Sequence, residues 1–126
     1  MAGEGRPTRD QLRDLILGAD DCPTEVVEVP EWGVSVTVKG MSGEQRDAFE
    51  ASIRKHTPNG DELDPRDFRA KFVSRVLVDD DGARLFTNEE VKLLSRKSAV
   101  ALQRIFSVGQ RLSGYGDEEL ADIQGN

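Results

Sequence analysis

Thr24–Lys39 reads TEVVEVPEWGVSVTVK and is the one stretch of the chain that reads clearly as β. Val27 and Val29 alternate with Glu28 and Pro30, and Val34, Val36 and Val38 alternate with Ser35, Thr37 and Lys39. A period of two marks strands with one buried face. Between the two runs Pro30 fixes φ and Gly33 tolerates positive φ, so Pro30-Glu31-Trp32-Gly33 fits a four-residue hairpin loop built on a type I turn. With that loop Val29 faces Val34 and Val27 faces Val36, which gathers the valines on one side; a slip of one residue would turn half of them to water. A lone two-stranded hairpin is marginal in water and needs a cover. The amphipathic segments around it supply one, which predicts an α+β fold: a small β-hairpin or sheet packed against several amphipathic α-helices.

Working outward, Thr8 is placed to cap a short helix in which Leu12, Leu15 and Ile16 recur at helical spacing up to Gly18. On the other side, Ser42 and Gln45 make a capping box for a helix through about Lys55, with Ala48, Phe49 and Ile53 as its apolar stripe. His56 to Glu62 carries Pro58, Asn59-Gly60 and acids, the composition of a flexible loop. Asp64 before Pro65 predicts a helix start, running to about Leu77 with Phe68, Phe72, Val73, Val76 and Leu77 on one side. This helix, with a second from Ala99 to about Leu112, is expected to lie on the valine face. Asp79-Asp80-Asp81-Gly82 reads as a turn and Ala83–Phe86 as a short extended piece. Thr87 and Glu90 form a second capping box for a brief helix with Val91, Leu93 and Leu94, and Ser98 is placed to cap the last helix. The expected organisation is a flexible arm over residues 1–7, a single α+β domain over 8–115 and an acidic tail over 116–126.

Composition narrows the function classes. A chain of 126 residues supports one core. A net charge of −7 argues against non-specific affinity for nucleic acid or an anionic membrane, because phosphate contacts need clustered Lys and Arg. Cys22 is the sole cysteine, so no intrachain disulfide or cysteine-based zinc site forms, and a reducing compartment is the expected setting. The first residues, MAGEGRPTRDQ, lack the apolar run of a leader, and no apolar run is long enough to span a bilayer. The cytoplasm is the expected location.

The motifs that carry chemistry fail one by one. If Gly82 is the sixth position of a calcium loop, Leu77 and Asn88 occupy two essential ligand positions, so the acidic cluster reads as a solvated turn. His56 is the single histidine and has no nucleophile or carboxylate at motif spacing. No nucleophile elbow, phosphate-cradling glycine loop or paired-histidine zinc motif occurs. We therefore expect no enzyme, no cofactor and no metal. Arg66, Arg69, Lys71 and Arg75 give one helix a basic side, read as a solvated face because no aromatics are interleaved with it. Trp32 is either a lid on the core or an exposed anchor, and Trp is enriched in binding hot spots. Trp32, Tyr115 and Leu120 are the candidate partner-binding residues.

The ordered run of features resembles the tail assembly chaperones of long-tailed bacteriophages and related prophages. It is carried by the VPEWG hairpin at Val29–Gly33, GMSGEQRDAFE at Gly40–Glu50, VDDDGARLF at Val78–Phe86 and KSAVALQRIFSVGQRLSG at Lys97–Gly114. None of these pieces is catalytic, so the resemblance brings no active site. It implies a protein that binds the tape measure protein, keeps it soluble and helps recruit tail tube subunits. It also implies residence in the cytoplasm of the bacterial host and absence from the finished virion. The alternative is a structural minor tail or head–tail connector protein of the virion. The unpaired hairpin edges allow pairing with a second copy, so a homo-oligomer is also expected.

Overall fold

The hairpin forms in the expected register. In the computed structural model, which describes residues 5–116 and Glu119, β1 (Thr24–Val29) and β2 (Val34–Lys39) pair antiparallel with Val29 opposite Val34 and Val27 opposite Val36. Pro30–Trp32 makes one 3-10 turn, closed by a hydrogen bond from the Gly33 N–H to the Pro30 carbonyl, and Gly33 takes φ +67°. The valines divide more unevenly than a single buried face predicts. Val27, Val29 and Val38 are buried and Val36 is half-buried, whereas Val34 is 53% exposed.

Helix α1 (Arg9–Gly18) and helix α2 (Gly43–Ser52) both open on reciprocal caps. The Gln11 N–H donates to Thr8 Oγ1 at 3.2 Å and the Gln45 N–H to Ser42 Oγ at 3.2 Å; each Gln side chain accepts back from the capping residue's N–H at 2.9 Å. Phe49 and Ile53 turn α2 and its end inward, while no residue of α1 is buried.

Three expectations give way here. First, α2 stops at Ser52, and residues expected as helix end and flexible loop form a second hairpin, β3 (Arg54–Thr57) with β4 (Gly60–Leu63). Pro58-Asn59 is its turn and Gly60 takes φ +107°. Apart from the half-buried Leu63 and Thr57, its residues are exposed on both faces, so the hydrophobic alternation that reveals a strand is missing. Second, helix α3 (Phe68–Val76) begins later than Asp64-Pro65 suggested. The Asp64 carboxylate accepts from the Arg66 N–H at 3.1 Å and from the Arg66 guanidinium at 2.9 and 3.0 Å, and Asp67 takes the left-handed φ of 55°. The acid expected to cap the helix is consumed in a turn before it. Third, Leu77-Val78 leaves the helix to become β5, which pairs antiparallel with β2 and makes β2 the central strand in the order β1-β2-β5.

After the Asp79–Gly82 turn the chain runs through a 3-10 turn at Asn88–Glu90 into α4 (Val91–Ser95) and then α5 (Ala99–Leu112), whose Ser98 cap accepts from the Ala101 N–H at 3.2 Å. Helix α5 is the centre of the packing. Its Gly109 lies so close to α3 that a Cβ there would sit 2.9 Å from the Phe72 ring and 3.0 Å from Val76. Around this approach Phe49, Phe68, Phe72, Phe106 and Tyr115 form one aromatic cluster with centroid separations from 4.6 to 6.1 Å, edge-on or tilted as ring quadrupoles favour. At the C-terminal cap of α5, the buried Ser113 Oγ accepts from the Met41 N–H at 2.9 Å, locking the helix end to the link between β2 and α2.

Gly40 in that link has no room for a side chain, since a Cβ would lie 2.3 Å from the Leu112 carbonyl oxygen, whereas Gly43 faces open space. Gly40→Ala should therefore cost about 2 kcal/mol or more, as overpacking against rigid backbone does. Gly43→Ala, at the start of α2, should be neutral or stabilising by a few tenths of a kcal/mol. Urea denaturation of the two variants checks this; equal midpoints would show that α5 does not press on Gly40.

Candidate functional site

The hairpin tip is held against α5 by charge as well as by packing. Glu31 takes both guanidinium nitrogens of Arg104, one of them at 2.9 Å, and Glu25 near the open end takes Arg111 at 2.7 Å. Arg104 and Arg111 are seven residues apart, two turns of α5, so they leave the same face of the helix. The Arg104 hydrogen bond holds the Glu31 carboxyl down from its ordinary 4.5 to about 2. The sign follows: the pair's contribution is complete above pH 4.5 and is lost as pH falls towards 2.

With the tip fixed in this way, one side of Trp32 packs on the core and the other lines a cleft of about 230 Å³ with Phe86, Leu93, Leu94 and Lys97. The cleft wall is almost wholly apolar, and Leu93 at its edge is 59% exposed. The Trp32 indole Nε1–H is buried and has no hydrogen-bond acceptor among the described residues. A buried donor without an acceptor carries a desolvation penalty. Lys97 in the wall also lacks an acceptor among the described residues and gives the cleft a cation in this protein of net charge −7.

A second uncovered surface is α1. Leu12 is 48% exposed, Leu15 64%, Ile16 63% and Leu17 72%. Leu12, Leu15 and Ile16 share one face of the helix, and Gly5, Arg6 and Pro7 run beside Gln11, Asp14 and Leu15 along a shallow depression. On the sheet, Val26 is 68% exposed on the edge strand β1.

The other residues singled out by the sequence fall elsewhere. Tyr115 is 4% exposed: its hydroxyl donates to Glu50 Oε2 at 2.9 Å and the Arg46 guanidinium lies 3.8 Å above its ring, so it anchors the turn after α5. Leu120 lies outside the described residues. The Asp79 carboxylate accepts from the N–H groups of Asp81 and Ala83 and so closes its own turn. His56 is exposed and meets Asp61 at 3.0 Å across the β3–β4 hairpin, a pair that linear spacing could not reveal. Leu93 is the site residue that sequence reading placed in its helix but did not single out. It sits in an apolar run with Val91 and Leu94, yet a helix of five residues buries only one side, and Val91 and Leu94 take it.

Burial, and then the hydrogen bond to Glu50, push the Tyr115 hydroxyl up to about 12 from 10. It is the single tyrosine, so phenolate absorbance in a stopped-flow pH jump reports it alone. The midpoint should lie near 12 in the folded protein. Glu50→Ala should lower it while leaving it above that of free tyrosine, because burial is the larger cause; a midpoint at the ordinary value would place Tyr115 in solvent.

The sequence pattern described as phage tail assembly chaperone matches residues 11–123. Among solved structures, the chain is similar to the tail assembly chaperone of bacteriophage HK97, with a TM-score of 0.59 and 22% identity over 87% of this chain and 100% of that one. At that identity the likeness concerns the fold. No curated protein matches the chain. The family pattern reaches from within α1, through the Trp32 hairpin and the α3–α5 core, and past Tyr115, and on that span the chain belongs to the phage tail assembly chaperone family.

Proposed function

We propose that this protein binds the tape measure protein during tail morphogenesis, keeps it soluble and helps recruit tail tube subunits. It acts in the host cytoplasm without catalysis and is not retained in the virion. The observation that carries the reading is the combination of uncovered apolar surface with an acidic exterior. Four large apolar residues of α1 and Leu93 beside the Trp32 cleft are about half or more exposed on a protein of net charge −7. Apolar surface of this kind covers an amphipathic helix of a partner, and the surrounding like charge keeps the covered complex from aggregating. Trp32 supplies a large rigid anchor in the wall of the cleft.

Co-expression with the tape measure protein of the same phage, followed by pull-down and sedimentation, tests this. Leu93→Asp and the double change Leu15→Asp with Ile16→Asp fall on exposed positions, so each should leave the melting temperature within about 2 °C of the parent. Each should nevertheless deplete the tape measure protein from the soluble fraction. A tape measure protein that is equally soluble without this chain, and forms no complex with it, overturns the reading. Recovery of the protein from purified particles would favour the minor tail or connector alternative.

The free outer edge of β1 supports self-association in addition, since its unpaired N–H and C=O groups and the exposed Val26 suit a second copy. Glu25 and Glu28 on the same strand limit its strength. Light scattering should give a weight-average mass that rises between low and high micromolar concentration. A constant 13.9 kDa would exclude it.

A further inference from the structure

Four basic residues of the α3 region, Arg66, Arg69, Lys71 and Arg75, look alike in the sequence, and the structure separates them. Arg66 is bound to Asp64, and Arg69 donates to Gln103 across to α5. Lys71 and Arg75 instead line a pocket of about 140 Å³ with Ser52, Ser74, Asn88 and Val91, where the end of α2, the face of α3 and the turn before α4 meet. Arg84 closes the back of this pocket. Its guanidinium donates to the Ser74 carbonyl at 3.0 Å, to Ser74 Oγ at 3.3 Å and to Asn88 Oδ1 at 3.0 Å, and both residues stand in the wall.

The charge count in this pocket is unusual for so acidic a protein. Lys71 spends one N–H on the Ser52 carbonyl, at 3.2 Å. Arg75 is half-buried and makes no hydrogen bond or ion pair among the described residues, although it stands near enough to Arg84 to feel its charge. Burial first, and then Arg84, depress the Arg75 pKa, which means that its charged form is held at a cost. Asp64 acts on Lys71 from a distance, but its carboxylate is already taken by Arg66. Glu89 is the acid that acts on Arg84. Three cations against one free carboxylate leave about two positive charges uncompensated, while the chain carries 24 acidic residues against 17 basic ones and places none of them on Arg75. A planar guanidinium fork and a flexible ammonium around a volume of about four or five waters form the donor set that oxyanions take.

We infer that the Lys71–Arg75–Arg84 pocket is a binding site for a phosphate dianion, either inorganic phosphate or the head of a phosphomonoester. The choice of anion follows from charge, since a dianion cancels the excess and a single carboxylate leaves half of it. Arg75 binds the ligand through its fork and Lys71 through the N–H groups that Ser52 does not take. The Ser52 and Ser74 hydroxyls, whose protons go to the Phe49 and Lys71 carbonyls, only line the wall, and Arg84 supplies field from behind. The site lies on α3 and Asn88, apart from the Trp32 cleft, and does not depend on the chaperone reading.

Thermal unfolding of the whole protein, at a pH above the second phosphate ionisation, tests the inference with sodium phosphate, O-phosphoserine, sodium acetate and sodium chloride at equal ionic strength. Phosphate at tenfold its Kd should raise Tm by about 2 °C or more over chloride. A rise with phosphate alone identifies the free ion as the ligand, and a rise with O-phosphoserine as well extends it to monoesters. Arg75→Met should remove the phosphate response and, by deleting a half-buried unpaired cation, should raise Tm in chloride. Arg13→Met, on the exposed face of α1, should change neither. An equal rise with acetate, no rise with phosphate, or a response that survives in Arg75→Met would each overturn the proposal.

Discussion

The close approach of α5 to α3 at Gly109 is the constraint from which the rest of the structure follows. Only hydrogen stands between the α5 backbone and the Phe72 ring and Val76 methyls, so the helices meet at backbone distance and the large side chains on either side must interlock. Phe72 then touches Phe49, Phe106 and Tyr115, and those contacts bring in α2 and the turn after α5. Once α5 is placed, Arg104 and Arg111 present two cations to the two ends of the hairpin, and Glu31 and Glu25 meet them. The sheet is thus positioned by a helix that was itself positioned by the absence of a side chain.

The Trp32 cleft is a product of that order. The hairpin tip would be free to swing if the 3-10 turn were its only constraint; the Glu31–Arg104 pair fixes it over the α4 region, where Phe86, Leu93 and Leu94 supply the opposing wall. The pocket around Arg75 has a similar origin, because α3 turns into β5 at Leu77 and returns Arg84 towards Ser74 through the Asp79 turn. In both places a polar group is left without an acceptor among the described residues, next to a tightly packed core.

The amino-acid sequence revealed whatever is governed by local chemistry. Capping side chains and a four-residue turn act over three or four positions, so the Thr8, Ser42 and Ser98 caps and the Val29–Val34 register were legible without a structure. The β3–β4 hairpin was not, because its pairing is polar on both faces and leaves no periodicity. Neither was β5, since Leu77 and Val78 extend the apolar pattern of α3 and only the edge of β2 turns them into strand. Trp32 could be suspected from its residue type. The exposure of Leu93, the burial of Tyr115 and the isolation of Arg75 are set by which helix arrives from elsewhere in the chain, and nothing near those residues encodes that.

Helix α1 has a thermodynamic consequence. A helix of ten residues with none buried is shorter than the roughly 12–15 residues at which an isolated helix becomes even marginally stable in water. Among the described residues, the reciprocal Thr8–Gln11 cap is what holds its start. Any partner that covers Leu12, Leu15 and Ile16 must therefore supply the ordering free energy along with the contact, and the affinity it obtains is the difference between the two. Coupling of this kind gives a large contact area with a modest equilibrium constant, so that release needs no competing reaction. The capping residue, remote from the apolar stripe, becomes a control on how long the contact lasts.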